Sequence, residues 1–218
     1  MLIEIWSDVA CPFCFVGKRH LEQALTHFAH ADTVEVKWRS FQLAPDMPND
    51  PGVGMDEMLA TKYGKTIEEA RAMNHRVTEM GAAAGLDFRL DIGRPTNTFD
   101  AHRLIHLAAA HGRQDAAKER LLTAYFTEGA LISDHDTLTH LGAEVGLDAG
   151  KVADMLAGQD YGRNVQADIA SAREFGLSGV PAFVFDRKLL ISGAQPVGQL
   201  LSALVQQYEL AEREQVRT

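Results

Sequence analysis

Cysteine is scarce in this chain, with two residues among 218. That excludes a fold held together by a disulfide framework, which needs several paired cysteines. No run rich in Lys and Arg stands out, and the formal net charge is −9. The electrostatic footprint of a nucleic-acid or anionic-membrane binder is therefore missing, and neither partner is expected. No apolar run reaches the roughly 18 residues of a transmembrane span. Neither a basic segment nor a long apolar stretch precedes Leu2, so no secretory signal is read. The expected location is cytoplasmic, although a chain starting at a processed N-terminus would read the same. Internal repeats and low-complexity tracts are lacking as well. In a reducing compartment a lone pair of cysteines reads as a working pair, not a staple.

What is present is ordinary globular material, 46% hydrophobic and 23% charged, able to bury a sizeable core. A chain of this length suits one core with an elaboration. Residues 1 to about 45 read strand, helix, strand. Leu2 to Trp6 form a short buried strand, and Val16, Leu21, Leu25 and Phe28 mark one face of a helix from about Pro12 to Ala29. Thr33 to Phe41 alternate as a second strand. Three prolines and a glycine between Pro45 and Gly52 make a loop or crossing.

From about Met55 to Phe175 the period is helical, and Thr66 with Glu69 forms a capping-box signature. Further helices are expected near 98–111, 115–128, 134–145, 149–157 and 161–175, with only Leu86 to Leu90 extended. Ala182 to Asp186 and Lys188 to Gly193 then form a hairpin about Asp186-Arg187, before a last helix from about Val197 to Glu212. The chain thus reads βαβ, helical insert, ββα. The fold class expected is α/β, with a sheet domain formed by residues 1–45 and 177–218 and a helical domain inserted at 46–176.

Cys11-Pro12-Phe13-Cys14 lies where the first strand gives way to the first helix. Unpaired N–H groups and the helix dipole favour negative charge there, and a thiolate is the form of cysteine that attacks disulfides. Pro12 suits the first helical turn, where its missing N–H leaves nothing unpaired. The second sulfur falls one turn on, at ring-closing reach of the first. The chemistry this spacing points to is dithiol–disulfide exchange. Glu4 is the one charge in an apolar strand and is a candidate acceptor for the Cys14 proton, against the alternative of a solvated sheet edge. Asp8 is a second candidate acceptor. Asn97, Thr98 and His102 are candidates to line a cleft between insert and sheet, although Asn97-Thr98-Phe99-Asp100 also reads as a helix start. Two cysteines make half a zinc site, and no second Cys/His pair has ligand spacing. His20, His27 and His30 read as a solvated helix face, so no metal is expected.

Cys11-Pro12-Phe13-Cys14 after a strand, a helical insert, and Ser178-Gly179-Val180-Pro181-Ala182-Phe183 opening a late strand together resemble the DsbA-type oxidoreductases of thioredoxin-like fold. Trp6-Ser7-Asp8, Phe41-Gln42-Leu43, and Asn97-Thr98 leading to Ala101-His102 are similar to its FrnE-like, cytoplasmic branch. The resemblance implies that Cys11 is the nucleophile and Cys14 the resolving thiol. It implies a cis bond before Pro181, with the Val180 backbone, Pro12 and Phe13 facing an incoming substrate. Phe13 stands where strongly oxidising relatives carry histidine, which implies a weaker oxidant. The implied partners are disulfide-containing polypeptides or glutathione, the latter as a co-substrate rather than a resident cofactor; the chain reads equally as monomer or homodimer. Kappa-class glutathione transferases and 2-hydroxychromene-2-carboxylate isomerases are similar in plan but carry serine in place of Cys11. A glutathione-dependent isomerase or transferase is therefore the alternative, and a non-catalytic client-binding protein or chaperone is a third reading.

Overall fold

The computed structural model describes residues 1–215; positions 216–218, the end of the expected second sheet-domain segment, lie outside the described residues. β1 (Leu2–Ser7) is buried along nearly its whole length, as a strand covered on both faces must be. It pairs in parallel with β2 (Glu35–Ser40) across α1 (Pro12–Thr26). On its other side β1 runs antiparallel to β3 (Ala182–Phe185), which continues as a hairpin into β4 (Leu189–Ser192). The strand order is β2-β1-β3-β4. This is a mixed α/β sheet of the thioredoxin-like kind.

The register sorts the two faces. Ile3 and Ile5 oppose Phe185 and Phe183 and belong to the main hydrophobic core beneath α1 and α9 (Val197–Gln215). Glu4 and Trp6 oppose Val184 and Ala182 on the other face, where Trp6 packs with Ala172 and Leu177. The hairpin turns through Asp186, Arg187 and Lys188, one residue longer than the expected turn, and the first two have positive φ. Asp186 tolerates that geometry and accepts a hydrogen bond from the Leu2 N–H at 2.7 Å. Arg187 reaches back from the turn to Glu4, with Nε 2.8 Å from the carboxylate.

Between β2 and β3 the chain forms α2 (Met55–Tyr63), α3 (Ile67–Ala83), α4 (Phe99–Ala110), α5 (Gln114–Phe126), α6 (His135–Glu144), α7 (Ala149–Ala157) and α8 (Gly162–Glu174). Thr66 and Glu69 complete the capping box expected at α3. The stretch Leu86 to Leu90 is not a strand. Its alternating Leu86, Phe88 and Leu90 are buried in the core, while the Arg89 N–H donates to the Phe126 carbonyl at the end of α5. Alternation here records packing against helices without a sheet partner. The helical segment shares the sheet's core, since Leu104, Leu122 and Phe126 belong to the same cluster as Ile5 and Phe183. α8 and α5 both pack against β2.

One position governs how closely α1 meets the late strand. A Cβ on Gly17 would lie 3.0 Å from Pro181 Cγ and 3.2 Å from Phe183 Cζ, so only glycine lets helix and bend touch without displacement. Gly17→Val is expected to lower stability by about 1–3 kcal/mol through overpacking, measured as a reduced urea midpoint. An unchanged midpoint would show that α1 and the Pro181 bend are not in tight contact.

Candidate active site

β1 ends at Ser7, and the short connection Asp8-Val9-Ala10 delivers Cys11 to the N-cap of α1, with φ −103° and ψ 111°. Pro12 occupies the first turn as expected. The Cys14 N–H donates to the Cys11 carbonyl at 3.0 Å, which fixes the two residues one turn apart. Both are free thiols, 3% and 1% exposed. The Cys11 thiol points toward the Val180 carbonyl at 3.6 Å, and the Val180–Pro181 peptide bond is cis. The chain thus brings together two segments from opposite ends of the sequence.

Cys11 is buried but reachable, because it lines a cavity of about 380 Å³ from which Cys14 is absent. Pro12, Phe13, Val180, Asp8 and Thr98 line the same cavity. Its opposite wall is apolar and carries Met47, Met55, Met58 and Met73 from the helical segment and the loop before it, flexible side chains that adapt to varied shapes. A larger depression of about 820 Å³ lies around Arg103 and Tyr161 and contains neither cysteine.

The charges around the sulfurs refine the expectation for Cys11. A hydrogen bond with Cys14, burial, and the negative charge of Cys14 lift the Cys11 thiol well above its ordinary value. Burial also raises Cys14, but the hydrogen bond from Cys11, the Lys118 ammonium and the Ser7 hydroxyl outweigh it and bring that thiol down. The pair gives up one proton readily and holds the second, so the charge belongs to both sulfurs together. The helix start alone does not make Cys11 the thiolate, since the Cys14 N–H that favours its charge is outweighed by the Cys14 thiol and burial, and Asp8 adds repulsion.

Glu4 stands on the sheet face of Trp6, opposite that of Ile3 and Ile5. It is 1% exposed on the central strand, neither on a solvated edge nor beside Cys14. Its carboxylate is held by Arg39 and Arg187. Burial works against ionisation, yet those two guanidinium groups hold the carboxyl below its usual value. Asp8 stands closer to the chemistry. It accepts from the Leu43 N–H at 2.8 Å and from His102 Nε2 at 3.2 Å. Burial, the largest influence, raises its carboxyl, and His102, the Leu43 N–H and the Thr98 hydroxyl together more than reverse that. A carboxylate can only accept, so His102 donates; burial keeps the imidazole neutral by lowering it against the pull of Asp8.

His102 therefore sits behind Asp8, not on the cavity wall. Asn97 is also outside that cavity. Its amide donates to the Pro45 and Met47 carbonyls, and its Oδ1 accepts from the Phe99 N–H at the start of α4. The helix-start reading describes Asn97, because a short amide can close a turn and tie down the proline-rich loop together, and Asn97 also lines a separate depression of about 360 Å³ with Gln42 and Gln166. Thr98 alone of the three lines the cavity. Sequence reasoning missed Lys118, which is 1% exposed on α5 and near both cysteines and Asp8. A lysine in a mixed helical segment gives no local signal of burial. Among the described residues no group of three or more His, Cys, Asp or Glu is arranged to hold a metal ion, and no helix is long and apolar enough to cross a membrane.

Comparison with known proteins identifies the family and agrees with the fold. A family model described as the DSBA-like thioredoxin domain matches residues 2–205. The crystal structure of a probable DsbA oxidoreductase from Streptomyces coelicolor is 40% identical, with a TM-score of 0.91 over 96% of this chain and 90% of that one. YwbO of Bacillus subtilis, an uncharacterised protein, is 29% identical over 84% of this chain and 85% of its own length. A 2-hydroxychromene-2-carboxylate isomerase shares the fold at 14% identity, with a TM-score of 0.72 and full coverage of both chains.

The Asp8–His102 pair sets a direction for acid sensitivity. The unfolded chain takes a proton at His102 below about pH 6.5 and at Asp8 below about pH 3.9, whereas the fold resists both. Stability is therefore complete above the first value and declines as pH falls through and below it. His102→Gln is expected to flatten the upper part of that decline, read from urea denaturation at a series of pH values. A variant curve parallel to wild type throughout would remove His102 from the acid response.

Proposed function

The chain belongs to the DSBA-like thioredoxin domain family, and from that premise we propose that it is a thiol–disulfide oxidoreductase working through Cys11 and Cys14. The observation that carries this reading is the placement of Cys11 alone on the cavity wall, against the Val180 carbonyl, with Cys14 one turn behind it. One proton is shared between the sulfurs. Passing it to Cys14 leaves Cys11 as the thiolate facing the cavity.

Cys11 Sγ then attacks one sulfur of a substrate disulfide. A Cys11–substrate S–S bond forms, and the substrate's other sulfur leaves as a thiolate. Cys14 Sγ, once ionised, attacks Cys11 Sγ; the Cys11–Cys14 bond forms and the second substrate thiolate departs. The substrate gains two electrons and the protein's dithiol loses them. The reverse sequence oxidises a substrate dithiol.

The substrates we propose are disulfides of polypeptides or of glutathione, acting in a reducing, cytoplasmic setting with no resident cofactor. The Met-lined wall supports tolerance of varied apolar groups beside the reacting disulfide. Phe13 is 46% exposed at the cavity mouth and offers a substrate an apolar contact, without the positive charge that would further stabilise a Cys11 thiolate.

Insulin reduction with dithiothreitol as the electron source tests the reading. Wild type is expected to accelerate it, Cys11→Ser to fall to background, and Cys14→Ala to accumulate mixed disulfide through Cys11. Equal activity in wild type and Cys11→Ser would eliminate the dithiol as the machinery.

A further inference from the structure

Two buried donors stand beside the inner sulfur, one without a hydrogen-bond partner and the other without a carboxylate counter-ion among the described residues. The Ser7 hydroxyl is fully buried and has no hydrogen-bond partner among the described residues. The Lys118 ammonium is equally buried, and it forms no ion pair with a carboxylate among the described residues. The acids next to it on α5, Asp115 and Glu119, turn instead to Lys18, at 3.3 and 3.0 Å. What Lys118 does have is the face of Trp38, 5.6 Å from Nζ to the ring centroid.

Helix pairing explains why these donors converge on Cys14. α1 and α5 run antiparallel: Phe15 meets Phe126, while Lys18 meets Asp115 and Glu119. Cys14 lies one turn before Lys18 on the same face of α1, which sets it across from the turn of α5 that carries Lys118. Ser7 approaches from the end of β1. A buried donor left without an acceptor costs about 1–3 kcal/mol, and an unpaired buried charge costs more. A sulfur that becomes an anion is the acceptor both groups lack.

We propose that Lys118 and Ser7 form a donor pair that holds Cys14 as a thiolate during resolution of the mixed disulfide. The inference deepens the oxidoreductase reading and rests on it. Its consequence is specific to the second step. Once Cys11 is bonded to a substrate sulfur it has no proton to donate, and the hydrogen bond that lowers Cys14 in the free dithiol is gone. Lys118 and Ser7 are then the side-chain donors that remain for the charge on Cys14, beside the Asp8 backbone N–H, and that charge is discharged when Cys14 Sγ bonds to Cys11 Sγ and the substrate thiolate leaves. The other groups here are Asp8 from the β1–α1 connection, whose backbone N–H favours the Cys14 charge and whose carboxylate faces Lys118, and Lys18 and His102, which face Lys118. Cys14 is the attacking atom; Lys118 acts on it by charge.

A Cys11→Ala background reports Cys14 alone, through the ultraviolet absorbance of its thiolate as a function of pH. Adding Lys118→Met is expected to raise the midpoint by about one unit or more, the shift an adjacent opposite charge produces. Ser7→Ala is expected to raise it by less, in the same direction. With both cysteines present, the mixed disulfide formed with oxidised glutathione at neutral pH should live about tenfold longer in Lys118→Met, in proportion to the lost thiolate.

Thermal unfolding separates this from a structural role, because removing an unpaired buried ammonium leaves the midpoint equal or higher. A Lys118→Met protein that titrates like its Cys11→Ala parent overturns the proposal. If that variant does not fold, Ser7→Ala decides: a raised midpoint supports the donor pair and an unchanged one overturns it. Failure of Cys11 and Cys14 to join in wild type would instead sink the oxidoreductase reading, and the single-cysteine titration would still report on Lys118.

Discussion

Close approach between α1 and the Val180–Pro181 bend is the constraint on which the site depends. It joins residues 169 positions apart, with the Cys11 thiol against the Val180 carbonyl, and it requires the missing side chain at Gly17. The sheet makes the approach possible by pairing β1, which leads to Cys11, directly with β3, which follows Pro181. Each sulfur inherits its surroundings from that docking. Cys11 faces a cavity closed on its far side by the helical segment, and Cys14 is enclosed between helices.

Buried charge is divided between the two faces of the sheet, with a different consequence on each. On the α8 face, Glu4 and Asp168 share Arg39 through contacts of 2.8 and 3.0 Å, and Asp168 also accepts from the Ser40 N–H at 2.9 Å. Those charges have their partners and hold α8 against β2. Near the cysteines, Asp8 is anchored by His102 and Leu43, while Lys118 has no carboxylate counter-ion among the described residues. A fully paired network stabilises one arrangement. A cation with no carboxylate bonded to it makes the chemistry of the dithiol sensitive to it.

The motif residues were legible because their signals are local. A Cys-Pro-Phe-Cys at a strand-to-helix junction and a Val-Pro at the start of a strand show themselves in short windows, and the helices of the insert follow from apolar period and caps. Glu4 was misread because a lone carboxylate in a strand does not reveal the two guanidinium groups that close on it, one from β2 and one from the β3–β4 turn. Leu86 to Leu90 alternate like a strand because they pack against helices on one side only. His102 sits behind Asp8 instead of on a cavity wall, and Asn97 lines a separate depression with Gln42 and Gln166 in place of the cavity that holds Cys11. Lys118 was invisible, since its burial comes from α5 packing on β2, where it faces Trp38, a long-range fact with no local pattern. Local chemistry is readable from a sequence; the partners that tune it come from packing.

The central claim is that Cys11 and Cys14 form a reversible redox couple whose charge is stabilised without a cationic residue between them. Equilibration against a series of glutathione redox buffers, with the dithiol fraction scored by thiol alkylation, tests it most directly. The expected result is a single two-electron transition more reducing than the about −120 mV of the most oxidising relative. Cysteines that stay reduced at every buffer ratio, or a transition at that oxidising limit, would contradict it.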